Sequence, residues 1–306
     1  MFRGIGLSVL ASVTFGFLYL YSKLLAPLDS GQTFGWRLIA TIPFLTLIMW
    51  CFGDIKLIGE IFKRIIEKPI FLLFLLLSSF LASVQLWLFL WAPMNDRGLE
   101  VSLGYFLLPL VLVFSGSLLY KEKLSFLQKI AVFFALIGVG HEFWQHGMIA
   151  WETAVVAFGY TAYFLLRKKI QTDHLGGFWW DIALSLPVAF FFVLSRDGLA
   201  VFSQYPILWL IIIGLGVLST LGLGSYILSS RYLPLVLFGL LSYLEPVLLA
   251  IASLFLGESI QTDELLTYIP IWLAVFVLVI EGALHLIKQH RQKLALRKKT
   301  KYLNKM

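Results

Sequence analysis

Long apolar runs separated by short polar turns dominate this chain. A bilayer core of about 30 Å is crossed by about 20 apolar residues in an α-helix, and these runs have that length. Membrane barrel strands have about 10 residues and alternate strictly between apolar and polar positions, so a barrel does not fit. The pattern predicts an all-α polytopic membrane protein with ten transmembrane helices, over roughly residues 4–25, 32–52, 69–92, 98–120, 126–143, 148–169, 176–194, 206–229, 233–256 and 265–288.

The connections between these runs are short, so almost the whole chain lies in or at the membrane. Only the stretch from Cys51 to Pro69 and the segment after Lys288 are long enough to be more than turns. Composition agrees, because 60% of the residues are hydrophobic and 13% are charged, against about 25% charged in soluble domains. No soluble catalytic domain fits into these connections.

The basic residues predict how the helices are oriented. With the N-terminus inside the cell, 20 of the 24 Lys and Arg residues fall in cytoplasmic segments, three fall outside and Arg37 lies within a span. Such a bias sets orientation in membrane proteins, so we expect both termini to be cytoplasmic. The net charge of +7 then reflects topology, with a basic cytoplasmic tail at 289–306, and does not indicate nucleic acid as a partner.

The usual signs of an enzyme are missing. Cys51 is the single cysteine, which excludes an internal disulfide, and the five histidines show no metal-ligand spacing. Neither a nucleotide-binding glycine loop nor a catalytic triad is visible, so we expect no cofactor and no metal. A membrane enzyme acting on lipid-linked substrates stays one candidate function. His141, Glu142 and His146 come closest to the group of polar residues that such an enzyme needs. A non-transporting membrane scaffold or sensor is the other alternative.

An internal repeat divides the chain into two halves. The stretch "FGWRLIATIP" at 34–43 matches "FWWDIALSLP" at 178–187, which pairs Trp36 with Trp180, Arg37 with Asp181 and Pro43 with Pro187. Further along, Pro109 matches Pro246. We therefore predict two related five-helix halves, 1–145 and 146–288. Because five is odd, the second half crosses the membrane in the opposite sense, as in the inverted repeats of many transporters.

The four repeated prolines fall near the bilayer middle. Pro43, Pro109 and Pro187 lie about eleven residues into their spans and Pro246 about thirteen, or about 16 to 20 Å deep at 1.5 Å per residue. Proline removes a helical hydrogen bond, so we expect these helices to bend or loosen where such transporters bind substrate. Simple kinks are the alternative.

Several segments together resemble the EamA superfamily of drug/metabolite transporters, and most closely its RarD-type permeases. They are "WLFLWA", "LEVSLGYFLLPL", "KEKLSFLQKIAVFFALIGV", "YFLLRKK" followed by "LPVA", and "LEPVLLAIASLFLGE". The resemblance implies ten helices in two inverted five-helix repeats, a bacterial inner-membrane location, and export of small metabolites or drugs. One departure is that "KEK" stands where the superfamily's first half commonly has "GE", whereas Gly257 and Glu258 keep the "GE" of the second half.

Three ionisable side chains within the predicted spans, Arg37, Asp181 and Glu245, are candidates for the transport path. Arg37, near the outer face, and Asp181, near the inner face, are expected to be roughly 15 Å apart along the normal and unpaired. For Arg37 the alternative is snorkelling to the interface, and for Asp181 it is pairing with a cytoplasmic lysine. Glu245 is the acidic residue near the midplane and the first candidate to contact a cation or proton. Its alternative role is to cap backbone groups freed by Pro246.

Aromatic residues make up 16% of the chain and suit apolar or cationic ligands, although packing and interfacial belts use them too. The predicted substrate-binding residues are Glu245, Tyr243, Trp87, Trp91, Gln85, Tyr105, Arg37, Asp181, Trp36 and Trp180. We expect a secondary active or facilitative transporter, an exporter that alternates access around a midplane site. An amino acid-like or an amphipathic drug-like substrate fits these residues. The other partners are the bilayer and, as a candidate coupling ion, the proton, while monomer and homodimer both stay open.

Overall fold

The computed structural model describes residues 2–120, 125–146, 148–195, 199–233, 238 and 241–303, and every regular element in these ranges is helical. The α-helices are α1 Phe2–Tyr21, α2 Ser30–Cys51, α3 Lys56–Glu67, α4 Ile70–Met94, α5 Gly98–Tyr120, α6 Phe126–His146, α7 Trp151–Ala154, α8 Tyr160–Lys169, α9 Leu175–Leu194, α10 Ala200–Gln204, α11 Leu208–Tyr232, α12 Leu244–Phe255 and α13 Leu265–Leu303. A π-helix, Val155–Gly159, joins α7 to α8, and short 3-10 helices cover Ser22–Leu25 and Thr262–Glu264.

Seven helical stretches in the described part of the chain are long and apolar enough to cross a membrane. They belong to α1, α2, α4, α6, α9, α11 and α13, and shorter apolar helices occur at Gly98–Leu112 and Leu244–Phe255. The prediction of an all-α, multi-pass membrane protein is confirmed. In the predicted span 233–256, the helix α12 covers only the second half, and residues 234–237 and 239–240 lie outside the described part.

Two helices begin at side chains that cap them, which explains where they start. Asp29 accepts a hydrogen bond from the Gln32 backbone N–H at 2.8 Å and donates its own N–H to Gln32 Oε1 at 3.2 Å, before α2. Ser125 and Gln128 form the same reciprocal pair before α6, at 3.0 and 3.1 Å. Such caps satisfy backbone donors that have no partner in the first turn.

The connection from Cys51 to Pro69 contains α3, which the sequence analysis did not predict. Leu57, Ile58, Ile61 and Ile65 recur at helical spacing, and this face packs against α9 and α4. The apolar residues here are too few for a span, and charged residues occupy the opposite face. A prediction based on long apolar runs therefore misses a helix that lies along the surface of the bundle.

The helices pack in a defined set of pairs. α1 packs against α11 and α12, α2 against α9 and α11, α4 against α8 and α9, α5 against α7, the π-helix and α12, and α6 against α13. Glycine allows the closest approaches. A Cβ on Gly35 would lie 2.6 Å from the Ala189 carbonyl oxygen of α9, and one on Gly216 would lie 2.5 Å from that of Ala40 in α2. Small residues at helix contacts are the usual means of close packing in membranes.

Candidate functional site

The repeated prolines occupy two kinds of position. Pro43, Pro109 and Pro187 lie inside the continuous helices α2, α5 and α9. Pro246 is the third residue of α12, and the chain is not helical at Tyr243, immediately before this helix. Proline is tolerated in a first helical turn, where its missing N–H has no partner to lose. The helix α12 therefore begins one residue before Glu245.

Arg37 is buried in the bundle, with 2% of its surface exposed. Its Nε donates to Ser219 Oγ at 3.2 Å, and its Nη1 donates to the Leu86 carbonyl oxygen at 2.7 Å. The guanidinium carbon also lies 5.1 Å from the centroid of the Phe89 ring. Arg37 therefore does not snorkel to an interface, because α4 and α11 hold it inside the protein.

Glu245 is likewise buried, with 9% of its surface exposed. Its carboxylate lies within electrostatic range of the phenols of Tyr105, Tyr160 and Tyr226. Among the residues that the structure describes, none forms a hydrogen bond or an ion pair with it. Burying a carboxylate without a partner costs several kcal/mol in a membrane interior, so this side chain does not stabilise the fold.

The two charged groups face one group of aromatic rings. Tyr105 donates a hydrogen bond to the Tyr160 hydroxyl at 3.3 Å, and both phenols lie within electrostatic range of Arg37. The Phe89 ring meets that of Tyr105 edge-on, with centroids 6.2 Å apart. We call this group the central cluster, which consists of Arg37, Phe89, Tyr105, Tyr160, Tyr226 and Glu245. It contains one arginine and one carboxylate, separated by aromatic rings.

Gln85, Trp87 and Trp91 lie along α4 and face the start of the predicted sixth span. The ring centroids of Trp87 and Trp91 are 5.4 Å apart, and those of Trp91 and Trp151 are 5.3 Å apart. Both α4 tryptophans pack against the core that contains Phe89 and Tyr105. These rings therefore lie beside the central cluster.

Gln85 binds the π-helix, where the helical hydrogen-bond pattern shifts by one residue. Its Nε2 donates to the Val155 carbonyl oxygen at 2.8 Å, and a Cβ on Gly159 would overlap the same amide. Tyr160, of the central cluster, follows this π-helix directly. Single-turn π-helices are frequent at functional sites, and here the shifted turn is held by Gln85 directly before Tyr160.

Asp181 belongs to a separate cluster with residues of α8 and α4. Its Oδ2 accepts a hydrogen bond from the Tyr163 hydroxyl at 2.8 Å and lies 3.6 Å from Nη1 of Arg167, which also donates to Tyr163. The Ser78 hydroxyl faces the other carboxylate oxygen without a well-formed hydrogen bond. The ion-pair partner is therefore an arginine of the neighbouring helix α8, whereas the sequence analysis named a cytoplasmic lysine as the alternative.

Arg37 and Asp181 contact α4 at different depths. Arg37 bonds to the carbonyl oxygen of Leu86, whereas the Ser79 hydroxyl donates to the backbone carbonyl oxygen of Asp181 at 2.7 Å. Leu86 and Ser79 are seven residues apart, which is about 10 Å along a helix. No hydrogen bond or ion pair within the described ranges joins the two side chains.

Three further predicted site residues are not members of the central cluster. Trp36 faces Phe202 and Trp209, with ring centroids 5.0 and 5.6 Å away, and shares a buried core with Phe89 and Tyr105. The Trp180 indole donates to the Ile58 carbonyl oxygen of α3 at 3.1 Å. Tyr243 packs in a core formed with α6 and α13. Trp36 therefore adjoins the central cluster, whereas Trp180 and Tyr243 have packing environments of their own.

The sequence analysis did not include Tyr160, Phe89 or Arg167 among the predicted site residues. Tyr160, Tyr163 and Arg167 recur at helical spacing in the sixth span, so their shared helix face is visible in the sequence. Arg167 was counted only as a cytoplasmic cation. Because the partner of a buried charge depends on which helices are neighbours, the spacing alone does not reveal the pair with Asp181.

The retained "GE" of the second half joins α12 to α5. Gly257 has φ +104°, a conformation that favours glycine, and the Glu258 carboxylate accepts hydrogen bonds from the N–H groups of Gly98 and Leu99, at 2.9 and 2.7 Å. Burial raises the pKa of Glu258, and these two hydrogen bonds oppose the rise. Because the Glu258 carboxylate lies at the start of α5, it accepts hydrogen bonds from backbone donors that have no partner within the helix, and it interacts favourably with the positive end of the helix dipole.

The "KEK" at 121–123 lies outside the described residues.

Arg97 lies next to this junction and joins α5 to α7. Its Nε lies 2.6 Å from Glu152 Oε1 and its Nη1 lies 2.7 Å from Glu100 Oε1. The hydrogen bond to Glu152 raises the pKa of Arg97. A cavity of about 340 Å³ beside it is lined by Asp96, Leu99, Glu100, Gly257, Glu258, Ser259, Glu264 and Tyr268. Within the described ranges, no group of three His, Cys, Asp or Glu side chains is arranged to hold a metal ion.

Comparison with known proteins supports a single family. Residues 2–140 match the EamA-like transporter family, and this stretch is nearly the whole first half of the predicted repeat. The chain is 42% identical to the chloramphenicol-sensitive protein RarD of Pseudomonas aeruginosa over 293 residues, which cover 95% of this chain and 98% of the relative. It is 37% identical to an uncharacterised transporter of Pasteurella multocida, over 95% of this chain and all of that protein. Similarity to the protein RarD of Escherichia coli is 29% identity over 92% and 95% of the two chains. Because these relatives are covered almost end to end, the chain belongs to the EamA-like transporter family and to its RarD-type members.

Proposed function

We propose that this protein is an inner-membrane exporter of small molecules that alternates access around the central cluster. Substrates would bind between Arg37 and Glu245, against the rings of Tyr105, Tyr160 and Tyr226. The observation that carries the proposal is the buried carboxylate of Glu245, which has no protein partner among the described residues. Since a membrane protein gains no stability from such a group, a ligand or a proton is the partner that explains it.

Ten membrane helices in two inverted five-helix halves, 1–145 and 146–288, are part of this proposal. The first half contains spans one to five and the second half contains spans six to ten. The sixth span consists of α7, the π-helix and α8. The two-fold relation pairs α1 with the sixth span, α2 with α9, α4 with α11, α5 with α12 and α6 with α13. Under this exchange the α1–α11 contact corresponds to the contact of α8 with α4, and the α2–α11 contact corresponds to that of α9 with α4. The exchange turns α1–α12 into the contact of α7 and the π-helix with α5, whereas α2–α9, α5–α12 and α6–α13 map onto themselves. These corresponding contacts support the two-fold relation, with transport by rocking of the halves, although among the described residues the α2–α4 contact has no comparable counterpart between α9 and α11.

The chemistry of the central cluster favours a substrate with a positive group. An ammonium group would be attracted by the carboxylate of Glu245 and by the faces of the tyrosine rings. Arg37 has five N–H donors, and two of them are used within the described part of the chain, so the rest could bind a carboxylate or a polar oxygen. An amino acid-like zwitterion uses both ends, and an amphipathic drug-like cation uses one end and the rings.

A first experiment identifies the substrate. Cells with and without the gene are loaded with amino acids, amines and drug-like compounds, and the rate of efflux is measured. Chloramphenicol belongs in the panel because one relative is named for sensitivity to it. Chemical conversion of a compound without flux would favour a membrane enzyme, and binding of a partner protein without flux would favour a scaffold or sensor. Either outcome contradicts the proposal.

A second experiment tests Glu245 with the substrate so found, using purified protein in liposomes. Glu245→Gln keeps the size of the side chain and removes its charge, so we expect transport to fall on the order of tenfold to a hundredfold, as for a lost charged contact. The pH dependence of transport by this variant should also flatten if Glu245 carries the coupling proton.

The matched control is Glu281→Gln in α13, a residue outside the central cluster, which should transport as the wild type does. The thermal stability of both variants in detergent is measured as well, so that loss of folding is separated from loss of function. Unchanged transport with unchanged pH dependence in Glu245→Gln would show that the proposed role is wrong.

A further inference from the structure

The helix α3 has an exposed apolar strip that the proposed transport site does not use. At about 100° per residue, Leu57, Ile58, Ile61 and Ile65 occupy one side, and this side packs on α4 and α9. Ile55, Phe62 and Ile66 form a neighbouring strip that remains exposed, with Ile66 65% exposed. The helix is therefore apolar over about half of its circumference, and the protein covers only part of that half.

The polar side of α3 is ordered by charge. Lys63 and Lys56 follow the exposed strip at about 60 to 80° from Ile66, and Glu67 and Glu60 lie farther round, at about 100 and 120°. Both lysines are exposed, and Lys63 pairs with Glu67 at 3.7 Å through largely exposed side chains. Such surface pairs contribute little, so Lys63 is free to turn toward another anion. Positive charge thus borders the apolar strip directly.

Hydrogen bonds fix α3 to the rest of the protein. Arg64 donates to the Ile170 carbonyl oxygen at 2.8 Å, and Trp180 donates to the Ile58 carbonyl oxygen. Apolar residues at the ends of α2 and α4, the helices before and after α3 in the chain, are exposed as well, with Trp50 69% and Ile70 67% exposed. Because α3 connects the ends of two apolar helices that are long enough to cross a membrane, we expect it near the membrane surface, where acyl chains meet headgroups.

We propose that α3 is an interfacial helix that binds anionic phospholipid, with Ile55, Phe62 and Ile66 among the acyl chains and Lys56 and Lys63 on the headgroup phosphates. Amphipathic helices with an apolar face and flanking lysines bind membrane surfaces in this way. The site lies on the membrane surface of the protein, and it holds whether or not the central cluster transports the proposed substrates.

The test uses the full chain in vesicles of phosphatidylglycerol and phosphatidylcholine. In a Cys51→Ser background, a bimane fluorophore is attached at Ile66→Cys or, as the matched control, at Glu67→Cys. Bromine near the headgroup of the lipid quenches a fluorophore that lies in the interface. We expect strong quenching at position 66 and weak quenching at position 67, where iodide in the water should quench instead.

Lipid selectivity is measured with the label at position 66 and bromine on one lipid at a time. Brominated phosphatidylglycerol should quench more than brominated phosphatidylcholine. Removing each lysine should lower this preference about fivefold, because each lysine near an anionic surface strengthens binding by about that factor. Lys56→Gln/Lys63→Gln should therefore abolish the preference, whereas Glu60→Gln/Glu67→Gln should increase it. Equal quenching at positions 66 and 67, or a preference that survives loss of both lysines, would overturn the proposal. Protection of position 66 from both quenchers would also overturn it and would indicate a protein occupant.

Discussion

Two of the buried acidic residues, Glu245 and Asp181, have opposite environments. Asp181 accepts a hydrogen bond from Tyr163 and faces Arg167, so its charge is compensated by the protein. Glu245 has no such partner among the described residues and faces three phenols. In the sequence both were predicted substrate-binding residues, and Glu245 was the first candidate to contact a proton. The contacts separate them, because a carboxylate held by an arginine serves folding, and one without a partner is available to a ligand.

Asp181→Asn tests this division of roles. The change leaves the Arg167 charge without its counter-ion, and breaking a buried ion pair costs about 3 to 5 kcal/mol. We therefore expect a marked fall in the thermal unfolding temperature of the detergent-solubilised protein. Any folded Asp181→Asn protein in liposomes should keep the pH dependence of transport, which Glu245→Gln loses.

The control for this change is Asp173→Asn, an exposed residue near the same arginine. Surface substitutions of this kind change the free energy of unfolding by about 0.5 kcal/mol or less. A variant Asp181→Asn with wild-type stability and flat pH dependence would reverse the assignment, giving Asp181 the coupling role.

At the scale of the helices, the contact between α2 and α9 is one of the close approaches between the two halves that a glycine makes possible. A Cβ at Gly35 would lie 2.6 Å from a backbone oxygen of Ala189 and 2.8 Å from the Val193 side chain. Backbone oxygen atoms cannot move aside as a flexible side chain can. The two helices, which carry Arg37 and Asp181, would have to separate.

Gly35→Ala is therefore expected to lower the free energy of unfolding by about 1 to 3 kcal/mol, the usual cost of overpacking. Gly59→Ala is the matched control, because this glycine lies inside α3 with nothing within 4 Å of an added Cβ. Replacing a glycine inside a helix by alanine should stabilise it by about 0.5 to 1 kcal/mol. Thermal unfolding in detergent should shift in opposite directions for the two variants, and a shift in the same direction would contradict this account of the contact.

At the scale of the whole molecule, the apolar runs were enough to predict the positions of most of the long helices. Eight of the predicted spans agree closely with α1, α2, α4, α5, α6, α9, α11 and the membrane part of α13, because span length is dictated by bilayer thickness. The π-helix at Val155–Gly159 was not predicted, since α- and π-helices bury the same apolar residues. The helix α3 was missed because it lies along the surface and needs no long apolar run.

The candidate site was predictable only in part. Depth and charge alone singled out Glu245 and Arg37, and the structure brings both to the same tyrosines. Which rings accompany them depends on the neighbours of each helix, so Trp180 was named although its indole binds α3. Tyr160 was not named among the site residues, because its place beside Tyr105 likewise depends on which helices are neighbours.

The orientation of the molecule in the membrane follows from charge, and the single native cysteine can test it. Cys51 is exposed at the end of α2, in the segment that carries Lys56, Lys63 and Arg64. The positive-inside rule puts this segment in the cytoplasm. α4 has 25 residues, a length of about 37 Å, so the exposed Asn95 beyond its other end should lie outside. In spheroplasts, a membrane-impermeant maleimide should leave Cys51 unlabelled until the membrane is broken, whereas Cys51→Ser/Asn95→Cys should react at once. Immediate labelling of Cys51 would contradict the proposed orientation, and it would put the basic face of α3 on the outer surface of the membrane.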